Sequence, residues 1–86
     1  MLECSVIILN WNGEAMLRRY LPSVIQYTQL EGVEIVVADN GSTDASLEFL
    51  HSQPVRIIEL GENLGFAEGY NRAIEQVESK YVVLLN

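Results

Sequence analysis

Four short apolar runs, separated by stretches with helical periodicity, leave this 86-residue chain one main route to a buried core. Cys4 to Leu9, Glu34 to Ala38, Val55 to Leu60 and Tyr81 to Leu85 are too short for buried helices and rich in Val, Ile and Leu, so they read as strands. Helical patterns lie between them, which makes the order βαβαβαβ. Such alternation belongs to the α/β class, a Rossmann-like parallel sheet whose crossovers place helices on both faces. There is no repeat, low-complexity tract or linker, and the length suits one small domain.

Between the first two strands, Leu17, Leu21, Val24, Ile25 and Thr28 recur at helical spacing, with Asn12 placed to cap the helix and Glu14 in its first turn. Pro22 removes an amide donor and disfavours helical geometry at Leu21, which predicts a kink or a second helix starting there. A second helix is expected over Thr43 to Ser52, burying Leu47, Leu50 and Phe49 and ending before Pro54. A third is expected from Gly65 to Glu78, with Phe66, Tyr70, Ala73, Ile74 and Val77 as its core stripe.

The junction after the second strand carries the clearest chemical signal. The buried run Val33 to Ala38 leads directly into Asp39-Asn40-Gly41-Ser42-Thr43-Asp44. Ligands of open α/β sheets bind outside the carboxyl ends of the strands, and an acidic residue there can accept hydrogen bonds from a ribose or a base. Asn40-Gly41 permits a positive-φ turn, and Ser42 or Thr43 can cap the next helix. The same residues also serve an ordinary strand-turn-helix junction.

Twelve acidic residues against five basic ones give a net charge of -7, which argues against a nucleic-acid or anionic-membrane surface. A phosphate ligand would need help from helix N-termini, backbone amides, a metal ion, or some of Arg18, Arg19, Arg56, Arg72 and Lys80. The single cysteine, Cys4, excludes an internal disulfide and reads as a small core residue; a reducing cytoplasm fits. No signal-peptide pattern appears, and no stretch approaches the roughly 18 apolar residues of a membrane span.

Other chemistries lack their residues. No serine sits in a nucleophile elbow and no His/Cys cluster suggests zinc. Asp44 suits a helix N-terminus, Glu68, Glu75 and Glu78 a solvated face, and His51 a surface position near a helix end. No Gly-x-Gly-x-x-Gly follows the first strand, where the chain reads Asn10-Trp11-Asn12-Gly13, which disfavours a dinucleotide-binding Rossmann domain.

Four segments in order resemble the N-terminal part of an inverting family 2 glycosyltransferase with the GT-A fold. They are Ser5-Val6-Ile7-Ile8-Leu9-Asn10-Trp11-Asn12, then Val37 to Asp44, then Glu62-Asn63-Leu64-Gly65-Phe66-Ala67 with Tyr70-Asn71, and Tyr81 to Asn86. The Asn-Leu-Gly-Phe-Ala pattern followed by an Asn is similar to a rhamnosyltransferase-like branch. The resemblance covers all 86 residues and implies strand order 3-2-1-4, with the nucleotide across the switch point between the first and fourth strands.

It further implies that Asn10, Trp11 and Asn12 border the base and ribose, that Asp39 accepts a hydrogen bond from the base imide, and that the loop of Asn63 and Gly65 lies close to the nucleotide. Trp11 in simple packing under the following helix, and Asn10 and Asn12 in turn and capping chemistry, are the competing readings. Where many members carry Arg before the Asn matching Asn71, this chain has Tyr70, a departure that leaves uracil against thymine open. Arg72 lies beyond Asn71, and each step on a helix turns a side chain by about 100 degrees, so adjacency alone does not make it a substitute.

By the same resemblance the activity is transfer of a sugar from a UDP- or dTDP-linked donor to a glycan or lipid-linked acceptor, at the cytoplasm or its membrane face. A divalent metal, Mg or Mn, is expected for the full-length enzyme. Asn86 aligns with the first position of the Asp-x-Asp-type triplet, so residues 1–86 would end before the metal-binding Asp and the acceptor region. On this reading the chain holds part of the donor site and no catalytic residue. The alternative is a non-catalytic nucleotide-binding or assembly module. The fourth strand, at the sheet edge, would invite self-association.

Overall fold

The computed structural model describes residues 2–85. The apolar runs form β1 (Cys4–Asn10), β2 (Val33–Asp39), β3 (Arg56–Glu59) and β4 (Tyr81–Leu85), alternating with α1 (Glu14–Tyr27), α2 (Ser46–His51) and α3 (Phe66–Glu75). All strand pairs are parallel and the order is β3-β2-β1-β4. The strand order expected above is therefore the one observed.

Register places Asn10 opposite Asp39 and Asp39 opposite Glu59, so the carboxyl ends of the first three strands lie side by side. Alternation along each strand feeds two cores. Ile7, Val36, Ala38 and Ile58 pack with Tyr70 and Ala73 of α3 on one face. On the other, Val37 packs with Leu17 and Leu21 of α1 and Leu50 of α2, flanked by Ile8, Val24 and Phe49.

Several expectations need correction. α1 runs continuously through Pro22, with no second helix starting there. Pro22 is exposed, so the carbonyl that loses its partner can turn to water, while Leu17 and Leu21 before it and Val24 and Ile25 after it hold the helix against the same core. α2 is shorter than Thr43 to Ser52, because the amides of Thr43 and Asp44 are taken by Asn12 and that of Ala45 by Glu14 at the start of α1. α3 ends at Glu75, and of its expected stripe Phe66 (64% exposed) and Ile74 (36%) stay at the surface. Cys4, at the start of β1, is half-buried rather than a core residue.

β4 lies at the sheet edge, and all five of its side chains are exposed. For the 86-residue chain made by itself the expected result is concentration-dependent self-association through this strand. Sedimentation velocity checks it, and a constant monomer across a hundredfold range of concentration would count against it. No helix among the described residues is long and apolar enough to cross a membrane.

Candidate functional site

The carboxyl ends of β1, β2 and β3 are joined by two sets of hydrogen bonds that meet at Asp39 and Asn40. The first set ties the loop after β1 to the loop after β2. Asp39 is 2% exposed, so its carboxylate requires internal donors. Oδ1 accepts from Asn10 Nδ2 at 3.0 Å and from the Ser42 hydroxyl at 2.6 Å, and Oδ2 accepts from the Ser42 amide at 3.0 Å. The Ser42 hydroxyl in turn accepts from Asn10 Nδ2 (3.2 Å) and from the Asn12 amide (2.8 Å), which uses its full capacity of one donor and two acceptor positions. Oδ2 of Asp39 retains one acceptor position.

Asn12 adopts φ 50, a left-handed conformation that asparagine tolerates. Its side chain does not cap α1. Oδ1 instead accepts from the amides of Thr43 (2.7 Å) and Asp44 (3.2 Å), holding the β2–α2 loop. The residue before α1 is Gly13, whose missing side chain matters because a Cβ there would sit 2.5 Å from Asn10 Oδ1. Neither Ser42 nor Thr43 caps α2; both are committed to the Asn10–Asn12 turn.

Asp44 takes over the capping role for both helices on that face, as its acidic character suggested for one. Oδ1 accepts from the Ser46 amide at 2.9 Å and Oδ2 from the Glu14 amide at 3.1 Å, while Glu14 Oε1 accepts from the Ala45 amide at 3.2 Å. The Ser46 side chain is the largest influence holding the Asp44 carboxyl below its ordinary value of 3.8; partial desolvation opposes it, and the amides of Ser46 and Glu14 add to the lowering. Among the described residues the Ser46 hydroxyl itself makes no hydrogen bond, so the contacts in the structure that favour the charged carboxylate are the amides of Ser46 and Glu14.

A carboxyl whose folded pKa is depressed stabilises the protein above its unfolded pKa and loses that contribution as pH falls through the folded value. The expected result is that urea midpoints below about pH 4 fall more steeply for wild type than for Asp44→Asn. Parallel slopes would show that this charge does not stabilise the fold.

The second set ties β2 to the β3–α3 loop. Asn40 is 3% exposed. Its Oδ1 accepts from the Leu64 amide at 3.0 Å, and its Nδ2 donates to Asn63 Oδ1 and to the Gly65 carbonyl, both at 3.2 Å. Asn63 Oδ1 also accepts from the Gly65 amide at 2.9 Å. Gly65 has φ 84 and opens α3. Gly41, at φ 78, lies against the backbone of Glu62, where a Cβ would come within 2.6 Å of the Glu62 Cα.

Asn10 and Asp39 are therefore brought together directly, Asn12 joins them through Ser42, and Asn63 and Gly65 join through Asn40. Trp11 stands apart from the network. It is 54% exposed, which rules out simple packing under α1, and it lines an apolar groove of about 330 Å³ with Met16, Leu17, Tyr20 and Leu85. Two residues of the network, Ser42 and Asn40, were not among the expected site residues. The Asp-x-x-Ser spacing at 39 and 42 carried a signal for Ser42, since a hydroxyl three residues after an acid closes a turn onto it.

Tyr70, the departure from the usual Arg, is 4% exposed and its hydroxyl donates to the Leu85 carbonyl at 3.0 Å, tying α3 to the end of β4. Arg72 is exposed and paired with Glu68, whose hydrogen bond and charge raise the guanidinium pKa further. Arg18 pairs with Glu14 and Arg56 with Glu34, while Arg19 and Lys80 lie over the rings of Tyr20 and Tyr81. Among the described residues no three His, Cys, Asp or Glu side chains are grouped to hold a metal ion. Asn86, assigned by resemblance to the start of the metal triplet, lies outside the described residues.

Comparison with known proteins points in one direction. The sequence model of glycosyl transferase family 2 matches residues 5–86. The teichoic acid poly(glycerol phosphate) polymerase of Staphylococcus epidermidis is 28% identical over 90 residues, covering 98% of this chain and 12% of that protein. Among solved structures, S. aureus TarS 1–349 superposes with a TM-score of 0.83 at 26% identity over 98% of this chain and 27% of its own. A mannosyltransferase from Pyrobaculum calidifontis, solved with GDP-Man and Mn2+, shares the fold at a TM-score of 0.74 and 21% identity, over 88% of this chain and 24% of its own. The chain spans 12% to 25% of the length of the curated relatives it matches.

Proposed function

The chain belongs to glycosyl transferase family 2 and has the GT-A fold, and on that premise we propose that it carries part of the donor site of a sugar transferase. The reaction is transfer of a sugar from a nucleoside-diphosphate donor, UDP- or dTDP-linked, to a glycan or lipid-linked acceptor, with inversion at the transferred carbon. The observation that carries this reading is the convergence of Asn10, Asn12, Asp39, Asn63 and Gly65 at the carboxyl ends of adjacent parallel strands. Ligands of open α/β sheets bind in that place, and β1 between β2 and β4 is the point where strand order reverses.

Roles follow from the groups left available. Asp39 Oδ2 has one acceptor position for a base N–H. Asn63, whose oxygen is committed to Asn40 and Gly65, has its Nδ2 as a donor. Trp11, which follows Asn10 in the chain and lines the groove with it, offers an exposed ring suited to stacking or an edge contact. The metal expected for the full-length enzyme would neutralise the departing diphosphate. The steps assigned to the described residues are recognition and orientation of the nucleotide.

Titration of the 15N-labelled chain with UDP, dTDP, GDP and NAD, with and without magnesium, tests the proposal. A nucleoside diphosphate is expected to shift the amides of Trp11, Asp39 and Asn63, with NAD inert. An unchanged spectrum with all four would show that these residues serve the fold alone.

A further inference from the structure

We propose that Asn40 is a positioning residue for the nucleotide site: it locks the loop from Gly61 to Gly65 onto the end of β2 and turns the Asn63 amide so that Nδ2 is presented to an acceptor oxygen of the nucleotide. The inference rests on the donor-site reading above and assigns to Asn40 a role separate from that of Asp39 beside it.

Three observations carry it. The orientation of the Asn40 amide is set by the backbone on both sides, because the Leu64 N–H requires an oxygen and the Gly65 carbonyl requires a nitrogen. That leaves one Nδ2 hydrogen for Asn63 Oδ1, which already accepts from the Gly65 amide. Two donors on one oxygen settle which end of the Asn63 amide is tied to the loop, and its Nδ2 has no partner among the described residues.

The surroundings are shaped to admit the Asn40 amide. Gly69, buried on α3, faces it, and a Cβ there would lie 3.1 Å from Asn40 Nδ2 and 2.9 Å from the Leu9 side chain. The Asn40 amide N–H also donates to the Asn10 carbonyl at 2.7 Å. One residue thus links the ends of β1 and β2 with the entry to α3. A carboxylate at this position keeps the shape, loses both donors and sets an oxygen against Asn63 Oδ1 and the Gly65 carbonyl.

The test compares wild type, Asn40→Asp, Asn40→Ser and Ser5→Ala in the same titration with UDP, dTDP and GDP, together with amide hydrogen exchange at Leu64. Ser5 is buried at the opposite end of the sheet, where its hydroxyl donates to Glu34, so Ser5→Ala lowers stability without approaching the site. Asn40→Asp is expected to weaken the best-bound nucleotide about tenfold, to speed Leu64 exchange about tenfold, and to abolish ligand shifts at Asn63 and Gly65 while those at Trp11 persist. Asn40→Ser serves the same purpose if the aspartate variant does not fold.

Affinity within twofold of wild type, or a loss matched by Ser5→Ala, would overturn the positioning role. Wild-type silence toward all three nucleotides would instead overturn the donor-site reading. Leu64 exchange would then decide the clamp by itself: faster exchange in Asn40→Asp retains it, and unchanged exchange removes it.

Discussion

Gly41→Ala is expected to destabilise the chain by about 3 kcal/mol, enough to lower the melting temperature by about 15 °C in a domain of this size. Two costs combine. An L-residue at φ 78 gives up about 1–2 kcal/mol. The new Cβ also falls 2.6 Å from the Glu62 Cα, 2.7 Å from its carbonyl carbon and 2.9 Å from the Asn63 nitrogen. These are backbone atoms and cannot rotate away, so the loop from Gly61 to Gly65 must move and strain the Asn40 bonds. Gly61→Ala is the control. Its φ of 86 carries a similar conformational cost, but its Cβ would meet nothing within 4 Å, so the loss should stay near 1 kcal/mol. Equal urea midpoints for the two variants would refute the role of backbone contact.

Asp39→Asn is the second large effect, expected to cost about 2–3 kcal/mol and to weaken nucleotide binding more than tenfold. The carboxylate is almost fully buried and receives donors on both oxygens. An amide has one oxygen, so either orientation sets its NH2 against a donor. With the nitrogen at Oδ2 it opposes the Ser42 amide. With the nitrogen at Oδ1 it opposes Asn10 Nδ2 and forces the Ser42 hydroxyl to turn, which disturbs its bond from Asn12. Urea unfolding and the nucleotide titration read the two effects separately. An unchanged midpoint would show that the buried network tolerates an amide, and unchanged affinity would remove Asp39 from nucleotide recognition.

The way these residues are built explains how far the sequence could be read. The strands were legible because both faces of β1 and β2 are covered, so their apolar runs carry little polar interruption. The switch point followed from the strand order that the family resemblance implied. Helix ends were less legible. Asn12, Ser42 and Thr43 all have capping chemistry, yet their hydrogen bonds cross between two loops about thirty residues apart in the chain. Local propensity points to the nearest helix; the fold offered a closer set of amides. Asp44 illustrates the same point, since it serves its own helix and also α1.

The site residues divide in the same way. Asp39 stood out because an acid at the end of an apolar strand is unusual in any packing. Asn40 did not, because its neighbour Gly41 made it look like half of a turn. Its partners Asn63, Leu64 and Gly65 are more than twenty residues away and become visible only when β3 has paired with β2. Phe66 and Ile74 fit the periodicity of a buried stripe but remain exposed, since α3 meets the sheet mainly through Gly69, Tyr70 and Ala73.

The sequence by itself determined the α/β class, the four strands and the acidic turn after the second, since hydrophobic periodicity and turn chemistry act over a few residues. Only the tertiary structure decided which polar groups are spent holding loops and which are left to meet a ligand. That division depends on hydrogen bonds between segments distant in the chain, and a buried amide or carboxylate takes whatever partner the packed strands bring within about 3 Å.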